Sequence, residues 1–132
     1  MIILLKRQVR AVAVSVFATA CIIATPALAH HSVAAEFDQT KTVEIEGTLK
    51  KIELVNPHSQ MQLLVKNSVT GNIDTYQLLS AGANAFRRPG KPSLVVGDVY
   101  KVQIHPARRG THRGVITAIT FPDGDTVQPT TN

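Results

Sequence analysis

Tryptophan is absent from this chain of 132 residues, and cysteine occurs once, at Cys21. That cysteine falls in an N-terminal stretch unlike the rest. From residue 30 onward there is no thiol, which excludes disulfides, thiolate nucleophiles and zinc–thiolate centres there. Aromatic residues are scarce too: beyond residue 29 they are Phe37, Tyr76, Phe86, Tyr100 and Phe121. A surface for single-stranded nucleic acid wants aromatic platforms beside a basic groove. Here Tyr100 and Phe121 fall on apparent core positions, so no nucleic-acid partner is expected. The sequence has no HExxH, no glycine-rich phosphate loop and no recognisable Ser/His/Asp arrangement. A binding protein is therefore expected rather than an enzyme.

The first residues have a clear layout. Lys6, Arg7 and Arg10 come before an apolar run, Ala11 to Ala24, and Ala27-Leu28-Ala29 closes the stretch. Basic, apolar, then small-x-small is the order of a secretory signal peptide. A membrane anchor would need roughly 20 apolar residues, and this run is shorter and meets Pro26. Ala18-Thr19-Ala20-Cys21 loosely resembles a lipobox, but Leu is missing and apolar Ile22-Ile23 come next. Cleavage after Ala29 is the expectation, giving a periplasmic or secreted chain of residues 30–132 with no membrane span. Losing three cations takes the formal net charge from +5 to +2. The basic pI thus owes much to the leader and does not argue for a polyanionic partner.

Residues 30–41 read as a polar N-terminal arm, residues 42–124 as one β domain and residues 125–132 as a flexible tail without core signal. Val43, Ile45 and Leu49 share one phase; Ile52 and Leu54 share the other. A period-2 strand cannot bury both sets. A bulge near Lys50-Lys51 or a bend at Gly47 resolves the conflict. Asn56-Pro57-His58-Ser59 is a turn. Met61, Leu63 and Val65 mark a second strand, and Ile73 to Leu79 a third. Ser80 to Arg88 predicts a short helix with Ser80 as cap, stopped by Pro89-Gly90. Tyr100, Val102 and Ile104 mark a fourth strand; Val115, Thr117, Ile119 and Phe121 mark a fifth. Five strands, a bent first strand and a helix between the third and fourth match an OB-like barrel. An open α+β sheet or a partial sandwich has the same order, and the bent strand favours the barrel.

Two sets of residues could carry chemistry. Cleavage after Ala29 would free the α-amine of His30 beside the imidazoles of His30 and His31. The amine titrates near ~8 and the ring near ~6.5, so both offer neutral nitrogens at small cost. Such donors suit Cu(II), with His58 as a third arm and Glu36 or Asp38 orienting a ring. The bland alternative is two accidental, mobile histidines. A redox copper enzyme follows only if that site is real. In an OB barrel, the loops after strands one and four flank the usual binding face. Asn56 lies in the first; Arg108, Arg109, His112 and Arg113 lie in the second, with His105 just before. Planar guanidinium forks suit an anionic ligand or an envelope partner. A solvated hairpin tip accounts for the same loop, and a strand end with a hydrogen-bonded ring accounts for His105.

His30-His31-Ser32-Val33-Ala34-Ala35-Glu36-Phe37-Asp38 resembles the start of a family of small exported bacterial proteins of unknown function. The likeness continues through Glu46-Gly47-Thr48-Leu49, Asn56-Pro57-His58, Ser80 to Gly90 and Val96-Gly97-Asp98-Val99. It ends at Arg113-Gly114 and Pro122-Asp123-Gly124. The resemblance implies a small β-barrel of the cell envelope, and that the His-His-Ser start and the Asn-Pro-His turn belong to the family pattern. It carries no activity. Members usually have aromatics, often Trp, where this chain has Gln60 and Met61.

Overall fold

The structure is a computed structural model that describes residues 33–129. The expected signal at 1–29, His30 and His31 lie outside these residues, as does the end of the expected tail. Six strands are present: β1 (Val43–Glu53), β2 (Ser59–Lys66), β3 (Ile73–Ser80), β4 (Val99–Pro106), β5 (Arg113–Thr120) and β6 (Thr126–Val127). β1 pairs antiparallel with both β2 and β4. β2 pairs with β3 and β4 with β5, also antiparallel. A parallel pairing of β3 with β5 closes the ring. The product is a mainly β, closed five-stranded barrel with OB-like connectivity. Among the described residues no helix is long and apolar enough to cross a membrane.

β1 belongs to both halves of the barrel because it bends. Its first part, Val43 to Thr48, runs along β4, and Thr48 to Glu53 runs along β2. Leu49 faces Leu63 and Lys51 faces Gln62, so Lys50 is an extra residue on β1. This bulge switches the phase, as the apolar pattern requires. Ile45 and Leu49 are buried before it, and Ile52 packs against the core after it. Gly47 sits at the inside of the bend, where a Cβ would lie 2.6 Å from the Leu64 carbonyl oxygen and 2.9 Å from Val65 Cγ2. Val43 and Leu54, which share these phases, lie toward the strand ends and stay exposed.

The core is filled from alternate positions of β2 and β4: Met61, Leu63, Tyr100, Val102 and Ile104 are all buried. Each large apolar side chain taken from water contributes about 1.5–3 kcal/mol. Tyr100 also meets Phe121 edge-on, with centroids 5.5 Å apart, and its hydroxyl accepts the Val95 N–H at 2.8 Å.

Three expectations need correction. First, the helix expected at 80–88 is absent, and the short helix covers residues 33–36, before the strands. Residues 81–98 run instead through turns, with Ala85 N–H donating to Gly82 O and Arg87 N–H to Asn84 O. Gly82 is a poor helix former, and the turns deliver Phe86 into the core. Ser80 ends β3 and caps nothing; its buried hydroxyl has no partner among the described residues. Second, β5 does not keep one phase. Ile104 faces Ile116 while Gln103 faces Ala118, so Thr117 is an extra residue. Ile116 and Ile119 are therefore buried, while Val115 and Thr117 are not. Third, the chain after residue 124 does carry core signal. β6 pairs with β5, and Val127 packs against the core.

The close approach at Gly47 makes a stability prediction. Gly47→Ala forces a methyl against backbone, so it should destabilise the barrel by about 1–3 kcal/mol. Urea unfolding measures this, and an unchanged midpoint would contradict the bend.

Candidate functional site

The register of the barrel assembles a polar groove that no single segment of sequence displays. Met61 and Leu63 point inward on β2, so Gln60 and Gln62 point outward. Gln62 lies opposite Gln77 on β3 and opposite Lys51 on β1. Gln60 lies opposite Glu53. These five side chains line a shallow, open groove on the outer face of β1, β2 and β3. Lys51 and Glu53 form an ion pair with each other. The carboxamides of Gln60, Gln62 and Gln77 make no hydrogen bond among the described residues. Each has two donors and an acceptor to offer. The groove is too shallow to enclose a ligand, so a ligand would lie along it.

The basic loop after β4 borders β3, and two of its three arginines, Arg108 and Arg113, already face carboxylates. The Gln77 N–H donates to the His112 carbonyl at 2.8 Å. The His112 ring stacks on Tyr76, centroids 4.8 Å apart, with Nε2 3.6 Å from an Asp74 carboxylate oxygen. Residues 36–38 lie against the same loop. Phe37 bridges to Ala107 and is fully buried; Asp38 N–H donates to Pro106 O, and Arg108 N–H donates to Glu36 O. Arg113 pairs with Glu36 and reaches over the Phe37 ring. The Arg108 guanidinium stands 3.8 Å from Asp38. Glu36 and Asp38, expected beside a histidine ring, serve these arginines instead. Arg109 is exposed at the turn. His105 ends β4 with its Nδ1 2.7 Å from the Lys41 carbonyl oxygen. A carbonyl only accepts, so that nitrogen carries the proton.

Asn56 and His58 occupy the β1–β2 connection. The Asn56 carboxamide oxygen accepts the Ala83 N–H at 3.0 Å, and a Cβ on Gly82 would collide with that oxygen. Asn56 is thus a clamp between the connection and residues 81–83. His58 is exposed. Among the described residues no group of three or more His, Cys, Asp or Glu is placed to hold a metal.

A second charged cluster has little signal in the sequence. Arg88 lies nearly buried with its guanidinium 3.5 Å from the Phe121 ring centre. It donates to both carboxylate oxygens of Asp123, at 2.9 and 2.8 Å, and to Pro92 O at 2.7 Å. Lys91 adds contacts to Asp125 and Asp123. The Asp125 carboxylate, then the charge of Asp123, raise the Lys91 pKa. The Asp125 backbone N–H, then Arg88, lower that of Asp123. The basic pair Arg87-Arg88 before Pro89 is its one trace in the sequence, and there it suits a helix end. The cluster ties the 81–98 connection to the turn before β6.

The fold and its outer-face groove define a small OB-like barrel with a candidate binding surface. The chain belongs to a family of unknown function, DUF6152, whose model matches residues 18–117. No curated protein matches the chain.

The arm gives a pH-dependent prediction. The Thr40 hydroxyl, 2.6 Å from the Asp38 carboxylate, and then the Lys41 ammonium lower the Asp38 pKa from 3.8 to about 2. A depressed carboxyl stabilises the folded state above its unfolded pKa. That contribution fades as pH falls from about 4 toward 2. Asp38→Asn should therefore be less stable than wild type at pH 7, with the gap closing toward pH 2. Urea midpoints across pH measure it; a gap constant with pH would contradict the assignment.

Proposed function

We propose that the chain is exported, cleaved after Ala29, and serves in the periplasm or outside the cell as a non-catalytic binding module. The groove over β1, β2 and β3 is its ligand site. One observation carries this reading: three carboxamides that no other protein group engages line one shallow concavity on the outer face of an OB-like barrel. Buried polar capacity is normally spent within a protein, and exposed capacity gathered in a groove is available to a ligand. The basic-loop alternative is less favoured, because Arg108 and Arg113 face Glu36 and Asp38. An anion or acidic partner would have to displace those carboxylates.

The copper reading rests on the sequence. It takes Cu(II) at His30, His31 and His58, and it treats the His-His-Ser start and the Asn-Pro-His turn as family features. A redox copper enzyme is its extension. Its test is a Cu(II) titration of correctly processed protein and of a form with one extra N-terminal residue. The extra residue should abolish tight binding, and unchanged binding would remove the idea.

The groove is tested by NMR shift mapping with neutral polar compounds, namely small sugars, amides and amino acids, with inorganic phosphate in parallel. Neutral compounds should move the carboxamide signals of Gln60, Gln62 and Gln77 saturably. A phosphate response confined to residues 107–113, with the groove silent, would replace this reading by the basic-loop one.

A further inference from the structure

Beyond Leu49 the two sides of β1 differ. On one side the pairing with β2 continues, from Lys51 opposite Gln62 to Glu53 opposite Gln60. On the other side the pairing with β4 ends at Thr48 opposite Val99. Leu49 makes the last backbone bonds there: its N–H donates to Asp98 O and its C=O accepts the Gly97 N–H, both at 2.9 Å. The chain before Gly97 then turns away, with the Asp98 N–H donating to Val95 O. Among the described residues, 50–53 therefore form a strand edge with no backbone partner on that side. The bend that closes the barrel also opens this edge.

An open edge is a template for another strand, and lysine blunts it by repelling a like copy. Here the lysine is answered on its own strand. Lys51 and Glu53 share one face and pair with each other across Ile52. Consider two copies of this edge laid antiparallel with Ile52 opposite Ile52. Lys51 then stands opposite Glu53 of the second copy, and Glu53 opposite its Lys51. The edge is its own complement under a twofold axis, as an isologous dimer interface must be. Directly opposite unlike charges stabilise an antiparallel pair and like charges oppose it. Centring the pairing on Lys51 or on Glu53 instead would set a charge against itself, so the charges select one register.

Apolar surface gathers at the same place. Eight large apolar side chains are exposed among the described residues, and five of them border this edge. Leu54 and Val55 continue β1 past Glu53. Val95, Val96 and Val99 lie in the segment that bonds to Leu49 and faces Thr48. Exposed apolar residues scattered singly need no explanation, but a group of them marks an interaction site. We propose that the partner at this edge is a second copy of the chain. The two β1 strands join antiparallel about Ile52 into one continuous sheet, with Lys51 and Glu53 paired crosswise and the valines and Leu54 shielding the join from water.

The test is sedimentation of the processed protein over a range of concentrations. Wild type should pass from monomer to dimer as concentration rises. Lys51→Glu and Glu53→Lys each set like charges opposite one another twice, by symmetry, and each alone should weaken the dimer about tenfold or more. An equal mixture of the two variants should recover it as a heterodimer, because each supplies the charge that the other lacks. The double reversal Lys51→Glu with Glu53→Lys should recover it as well. A wild type that stays monomeric overturns the proposal. So does a dimer that neither reversal weakens, since it uses another surface, and so does a mixture that fails to recover. Should a variant fold poorly, amide exchange of wild type still decides. The amides of residues 50–53 should slow as concentration rises, and rates independent of concentration would contradict the joined edge.

Discussion

The closeness of Gly47 to the Leu64 carbonyl is the contact on which the barrel depends. A strand that pairs with β4 along one half and β2 along the other must turn sharply between them. The bare Cα of Gly47 lets the backbones approach, and the extra residue Lys50 rotates the remainder of β1, Lys51 to Glu53. From that bend come the two faces of the barrel. The apolar positions before and after the bulge both reach one core, and the polar positions of β1, Lys51 and Glu53, come to lie beside those of β2. The groove is thus a by-product of the bend: Lys51 and Glu53 join the three glutamines only because β1 has turned toward β2.

Two charged networks fasten the segments that are not strands. Residues 36–38 are held to the β4–β5 loop by Phe37, Asp38 and the Glu36–Arg113 pair. The long connection 81–98 is held to the turn before β6 by Arg88 and Lys91 on Asp123 and Asp125. Exposed ion pairs contribute little individually, but both networks carry a buried aromatic partner, Phe37 or Phe121, that packs beneath an arginine. Their functional consequence is a division of labour. Arg88, Lys91 and Arg113 fasten segments of the chain, and the inconspicuous glutamines face solvent.

Much of the scaffold was legible because hydrophobic phase is a local signal. The conflict between Leu49 and Ile52 announced the bulge at Lys50, and the alternation of β2 and β4 named the core. Where a local signal competed with tertiary packing, the reading failed. The alanines of 81–85 suggested helix, yet Gly82 and the demand for Phe86 in the core produced turns. Thr117 looked like one more inward residue of β5, but nothing local reveals that it is the extra residue opposite Gln103 and Ile104. The candidate site was the least legible part. Gln62 sits beside Lys51 and Gln77 through pairings between distant strands. Likewise, the basic loop was visible as a loop of cations, while the acids that neutralise it lie some seventy residues earlier.

Closure through β3 and β5 is the claim from which the barrel and the position of the basic loop beside β3 both follow. Amide hydrogen exchange at that seam tests it most directly. The Gln77 N–H, which donates to His112 across the seam, should exchange as slowly as the paired amides joining β1 to β4. Exchange at loop rates while the β1–β4 amides stay protected would mean an open sheet. The basic loop would then have no fixed place beside Tyr76 and Asp74 of β3, and the closed barrel would be contradicted.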